Sequence, residues 1–248
     1  MSPPTYLTEN DALICEFIEN FDIAMVYGTP ILRTCAITKR IGLGVILNDG
    51  DLISGSARAL HWLRAQGKRI ILVMNNTSKS RHEHAAHLQA RGIDVNMDEI
   101  ITSAYSTVLY ISDVLRLSPP GDTVFLIGHS GIEQEMRLAD IVTVGETDPA
   151  FQRGIGAQDF CNMAAGSHSL RDVIGVVVVG LDLQFNYLKL CHALHYIRNG
   201  ATHMATKLDA TFPYLESLFP GTGSISAALA SASGHEPLLM RKPEQMSE

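Results

Sequence analysis

Cysteine is scarce in this chain and scattered. Cys15, Cys35, Cys161 and Cys191 are the only four, and no Cys-x-x-Cys pair exists, so neither a zinc site nor a disulfide framework is indicated. Long apolar runs are missing as well: the longest, residues 173–181, falls far short of the roughly 20 residues that cross a bilayer. Behind Met1-Ser2-Pro3-Pro4 there is no basic stretch followed by an apolar one, so no secretory signal is read and a cytoplasmic location is expected. Positive charge is thin: 19 Lys and Arg against 26 Asp and Glu leave a net charge of −7. The basic residues are dispersed, which argues against nucleic acid and membrane as partners and leaves a small molecule.

What is present is a regular alternation. At 248 residues the chain can bury one large core or two small ones. Helical spacing is read at residues 10–21, 54–66, 80–92, 104–117, 132–139, 186–198 and 224–233. Extended runs fall at 21–26, 41–47, 68–74, 93–95, 100–101, 123–128, 141–144, 173–180, 203–206 and 237–240. The run at 173–180 is continuously apolar and mostly β-branched, the pattern of a strand covered on both faces. Residues 27–40, 147–169 and 212–223 lack periodicity and read as irregular. Alternating strands and helices with continuous apolar strands predict a mainly parallel sheet with helices on both sides.

The stretch at 68–88 concentrates the chemistry. An apolar strand ends in Asn75-Asn76-Thr77-Ser78-Lys79, and Ser80-Arg81-His82-Glu83 reads as a capping box that opens a helix. Amides, hydroxyls and a cation at a strand tip, ahead of a helix N-terminus, are groups that receive phosphate. An ordinary polar loop is the competing reading, since connections of this length are common. His82 and His84 read as solvent-facing positions of the following helix rather than as ligands.

Several words, taken in order, carry a family resemblance. They are Val73-Met74-Asn75-Asn76-Thr77-Ser78-Lys79-Ser80-Arg81, Gly128-His129-Ser130-Gly131-Ile132, Gly145-Glu146-Thr147-Asp148-Pro149, Gly180-Leu181-Asp182, Asn186-Tyr187-Leu188-Lys189-Leu190, Asp209-Ala210-Thr211-Phe212-Pro213, Pro220-Gly221-Thr222-Gly223-Ser224 and Lys242-Pro243. Together they resemble the 4-nitrophenylphosphatase and phosphoglycolate phosphatase family of the haloacid dehalogenase superfamily, over residues 10–246. The resemblance implies an α/β fold: a Rossmann-like haloacid dehalogenase core with an inserted α/β cap domain. Core is expected at residues 1–99 and 206–248 and cap at 100–205. Family members continue past Glu248 through an Asp-rich segment, so the core is expected to be C-terminally incomplete and to leave residues 70–73 uncovered. The family chemistry it implies is Mg²⁺-dependent hydrolysis of small phosphate monoesters through an aspartyl-phosphate, with a cap that carries a homodimer contact.

Carried residue by residue, the resemblance departs at the reacting groups. The paired aspartates of the first motif fall on Ile41 and Leu43, and the hydroxyl residue of the second motif falls on Met74. Lys242 keeps the charge-stabilising position. Asn75, Asn76 and Thr77 stand as phosphate-loop residues, and Asp182 and Asp209 as substrate-binding positions with capping or turn formation as the alternative. Lys207-Leu208 replace the Asn-Thr expected ahead of Asp209. No metal ligand is assigned. Asp49-Gly50-Asp51 offers a substitute Asp-x-Asp, although Asp-Gly is also a common turn. Two accounts follow: a phosphatase represented here by an inactive version, Mg²⁺ binding by which is doubtful, or a non-catalytic relative that binds or dimerises.

Overall fold

The computed structural model describes residues 23–27, 47–48, 51–117, 122–165, 174–214 and 217–240. The expected helix at 10–21, the irregular stretch after Tyr27, Ile41, Leu43, Asp49 and Lys242 lie outside the described residues. In chain order the elements are β1 (Ile23–Tyr27), β2 (Leu47–Asn48), β3 (Asp51–Leu52), α1 (Ser56–Ala65), β4 (Arg69–Met74), α2 (Arg81–Gln89), β5 (Ile100–Thr102) and α3 (Ser103–Leu109). There follow β6 (Thr123–Ile127), α4 (Ser130–Leu138), β7 (Val142–Val144), α5 (Ala157–Ala164), β8 (Ile174–Val179) and α6 (Tyr187–Arg198). The last are β9 (Thr202–Ala205), β10 (Thr211–Tyr214), β11 (Ser217–Pro220), α7 (Thr222–Ser233) and β12 (Leu238–Leu239). No helix among the described residues is long and apolar enough to cross a membrane.

Two parallel sheets carry the structure. The first is β1-β4-β5 with β4 in the middle, and the second is β12-β9-β8-β6-β7. The pairs β2–β3 and β10–β11 are antiparallel ribbons. In the first sheet Ile70, Leu72 and Ile100 pack with Leu60 of α1 and with Ala85 and Leu88 of α2. Ile70, Leu72 and Val73 are buried, contrary to the expectation that residues 70–73 are left uncovered: α1 and α2 cover the face that carries Ile70 and Leu72. Helix α1 ends because Gly67 turns left-handed at φ 73°, which lets Lys68 N–H and Gly67 N–H donate back to the Leu63 and Arg64 carbonyls.

The second sheet shows why its strands read as continuous apolar runs. Val124, Leu126, Val176 and Val178 face Ala104, Val108, Ile132 and Met136 of α3 and α4. Their neighbours Phe125, Ile127, Val177 and Val179 face Ala193, Ile197, Ile225 and Leu229 of α6 and α7. With period-2 alternation and both faces covered, every position must be apolar, and each large side chain buried contributes about 1.5–3 kcal/mol. Helix α7, β12 and Met240, from the stretch expected to return to the core, pack on this sheet.

Other departures have local causes. Residues 93–95 form no strand. The helix expected at 104–117 is α3 followed by a wider π turn at Tyr110–Leu115 that closes at Arg116 with φ 48°. Helix α5 lies in a stretch read as irregular, nucleated by Asp159, which accepts from Gly156 N–H at 2.7 Å and from the Arg153 guanidinium at 2.6 and 2.7 Å. Strands β10 and β11 lie where a loop is expected. Pro213 and Pro220 signalled a break, but a two-stranded ribbon is all edge and tolerates proline.

Candidate functional site

The carboxyl end of β4, the central strand of the first sheet, opens into residues 75–80. There Asn76 Oδ1 accepts from Ser78 N–H at 2.8 Å and from Ser78 Oγ–H at 2.7 Å, a turn closed by its own side chain. Thr77 is buried, while Asn75, Asn76 and Lys79 are half-buried at the mouth. The three residues expected to form a phosphate loop therefore share one turn beside Lys79.

The helix N-terminus behind the loop is already filled. Ser80 caps α2 in a full capping box: its N–H donates to Glu83 Oε2 at 2.8 Å, and Glu83 N–H donates to Ser80 Oγ at 3.3 Å. The next amide, Arg81 N–H, donates to Glu135 Oε1 of α4 at 2.5 Å, and Arg81 Nε donates to Glu135 Oε2 at 3.0 Å. Two carboxylates thus occupy the positive end of α2, the place where the sequence pointed to a phosphate. The amides of Ser78, Ser80 and Arg81 are thus committed to partners within the protein.

Helices α3 and α4 meet the loop closely. Gly131, the second residue of α4, sits where a Cβ atom would lie 2.6 Å from the backbone N and C of Lys79, so only glycine fits. The Arg81 guanidinium lies 3.3 Å above the centre of the Tyr105 ring of α3. His84 of α2, expected to face solvent, is buried, and burial with Lys79 nearby lowers its pKa to about 4. His82 is exposed as expected.

In the second sheet the chain passes from β6 to β7 on one side and returns to β8 on the other, so the strand order reverses between β6 and β8, the kind of position at which open α/β sheets bind ligands. Gly128 and Gly180 end these strands, and a Cβ atom on either would come within 2.9 and 2.5 Å of Ile132. Around this end Glu146 lies near Glu133 and Asp182. Burial first, then Glu133 and the Asp182 charge, push the Glu146 pKa up to about 8. Asp182 is buried, and both its oxygens are used internally: Oδ1 by Gln184 N–H at 2.7 Å and Oδ2 by Lys189 Nζ at 2.6 Å. Asp209 is exposed, 4.0 Å from Lys207 Nζ, and its carbonyl accepts from Gly223 N–H at 2.9 Å. The structure thus groups Asn75, Asn76 and Thr77, holds Asp182 in an internal ion pair and leaves Asp209 at the surface. A groove of about 480 Å³ beside His203 and His235 opens at the amino ends of β9 and β12, away from these glycines.

Strand β1 runs parallel to β4 and brings Tyr27 opposite Val73, next to the loop. From Ile23 to Asn48 the sequence holds no Asp or Glu, so the strand beside the loop leads into no carboxylate. Asp51 lies in β3, paired across from Asn48. Among the described residues, no group of three or more His, Cys, Asp and Glu side chains could hold a metal ion. Sequence reasoning missed Glu135 and Gly131; the signal was a glutamate three residues after Ile132 and one before Met136, on an apolar helix face.

A parallel sheet with a polar loop at its central strand, joined to a second, doubly wound sheet, is an arrangement of haloacid dehalogenase-like hydrolases. The family model so described, haloacid dehalogenase-like hydrolase, matches residues 43–142. The 4-nitrophenylphosphatase of Schizosaccharomyces pombe is 32% identical over 235 residues, covering 94% of this chain and 72% of the relative. The chloroplastic phosphoglycolate phosphatase 1A of Arabidopsis thaliana is 32% identical over 203 residues, and there the match covers 81% of this chain and only 54% of the relative. Among solved structures, a hypothetical protein of Pyrococcus horikoshii aligns with a TM-score of 0.69 and 31% identity, over 90% of this chain and 72% of that one. The chain belongs to the haloacid dehalogenase-like hydrolases, in the family of the 4-nitrophenylphosphatases and phosphoglycolate phosphatases.

Proposed function

We propose that this chain is a phosphatase-family protein that binds a small phosphate monoester, of the 4-nitrophenyl phosphate or 2-phosphoglycolate kind, at residues 75–79 and does not hydrolyse it. One observation carries the reading: the strand next to the loop is followed by no carboxylate until Asp49, and the motif register puts Ile41 and Leu43 at the reacting positions. An aliphatic side chain cannot attack phosphorus or ligate Mg²⁺, and removing a catalytic nucleophile lowers a rate by about 10⁶, roughly 8 kcal/mol of barrier. Asn75, Asn76 and Thr77 hold the phosphoryl oxygens, and Lys79 supplies charge at the mouth. Lys242 is assigned the family's charge-stabilising position, and Asp209 a substrate-binding position.

The experiment is an assay of 4-nitrophenyl phosphate with Mg²⁺, beside an NMR titration with inorganic phosphate. No turnover is expected, with shifts of the Asn75, Asn76, Thr77 and Lys79 amides. Turnover that Asp49→Asn abolishes overturns the reading and gives the chemistry to Asp49 and Asp51. Sequencing the transcript then separates a working gene with a shortened product from a dedicated non-catalytic relative. The second account is favoured by the second sheet, which is fully packed on both faces, and it carries the proposal of a homodimer through the cap, read by light scattering.

A further inference from the structure

We propose that Glu135 is a positioning residue that sets the shape of the loop at residues 75–80 from the cap side; this rests on the reading of that loop as the phosphate site. A helix N-terminus attracts anions because its first amides lack partners. In α2 that place is taken by a carboxylate supplied by the cap. Glu135 is wholly buried, its side chain 0% exposed, and one oxygen takes Arg81 N–H while the other takes Arg81 Nε. Gly131, one helical turn earlier on the same face of α4, presses on the Lys79 backbone. The loop is thereby held at Lys79 and at Arg81, the first helical residue after it, by one helix, α4. Its open residues, Asn75, Asn76 and Thr77, form a turn only as well placed as Lys79 and Arg81 are.

Two consequences follow. With Glu135 seated, an incoming phosphate is kept off the α2 N-terminus and directed to the Asn76 side of the loop. With the seat disturbed, the turn loosens even where the cap sheet itself stays packed, because Glu135 belongs to α4 and not to the strands beneath it.

The test uses the full chain, Glu135→Gln, which keeps the size and one acceptor oxygen, and Gly131→Ala, which acts through the other contact. In ligand-free protein, hydrogen exchange at Arg81 N–H is expected to quicken at least tenfold in Glu135→Gln, with shifts confined to residues 76–81 and the β8 amides unchanged. In the phosphate titration both variants are expected to bind at least tenfold more weakly, and Glu133→Gln to bind as wild type. Unchanged exchange at Arg81 and unchanged loop shifts overturn the proposal. Should inorganic phosphate move no loop amide in wild type, the loop reading fails, and the ligand-free arm still decides whether Glu135 sets the loop's shape. Should Gly131→Ala not fold, Glu135→Gln carries the result.

Discussion

Lys189 and Asp182 form a buried ion pair, Nζ 2.6 Å from Oδ2, with side chains 0% and 3% exposed. The pair ties the exit of β8 to the first turn of α6, where Asn186 Oδ1 accepts from Lys189 N–H at 3.0 Å. A buried pair need not stabilise relative to apolar residues, but removing one partner strands the other charge and costs about 3–5 kcal/mol. Lys189→Met is expected to lose stability of that order in urea unfolding, and Lys189→Met with Asp182→Asn to recover much of it. An unchanged midpoint in the single variant refutes the assignment.

Asn186 itself caps α6, and its Nδ2 donates to the Phe151 carbonyl at 2.7 Å. One side chain therefore serves a helix end and a tertiary link. Asn186→Ala is expected to destabilise by about 2 kcal/mol, the upper end of what a lost cap costs, while Asn186→Asp, which keeps the cap alone, loses less. Equal losses in the two variants would show that the Phe151 link contributes nothing.

Glu146 makes stability depend on pH in an unusual direction for a carboxyl group. Its pKa is raised from 4.5 to about 8, by burial first and then by Glu133 and Asp182, so between those values the folded state holds a proton that the unfolded state has released. Its contribution is present below pH 4.5 and lost as pH rises through about 8. Thermal midpoints measured from pH 5 to pH 9 are expected to fall less steeply for Glu146→Gln than for wild type; parallel curves contradict the shift.

His84 acts at the other end. Burial, then Lys79, lower its pKa from 6.5 to about 4, so below pH 6.5 the unfolded state takes up a proton that the folded state refuses. Stability is lost as pH falls from 6.5 towards 4, and His84→Gln is expected to flatten that limb. NMR titration of the ring reads the pKa directly, and a value near 6.5 rules the account out.

The two sheets differ in how much of them could be read from sequence. The runs at β6 and β8 announced a doubly covered parallel sheet because a strand with helices on both faces has no polar position to offer. The capping box at Ser80 and Glu83 was equally legible, since a helix end is satisfied within four residues. Helix α5 and the β10–β11 ribbon were not, because Asp159 finds Arg153 across a turn and because prolines mark edges as well as breaks.

The same division runs through the candidate site. Sequence alone determined the polar turn at Asn75, Asn76 and Thr77, the absence of acidic residues between Asp22 and Asp49, and a family likeness spread over short words. All of these are properties of neighbours along the chain. Only the tertiary structure decided what becomes of the charges. Glu135 meets Arg81 across 54 positions, Asp182 pairs with Lys189, and burial beside Glu133 raises the pKa of Glu146. A carboxylate's partner and dielectric surroundings are set by whatever the fold packs against it, and no spacing in the sequence encodes that.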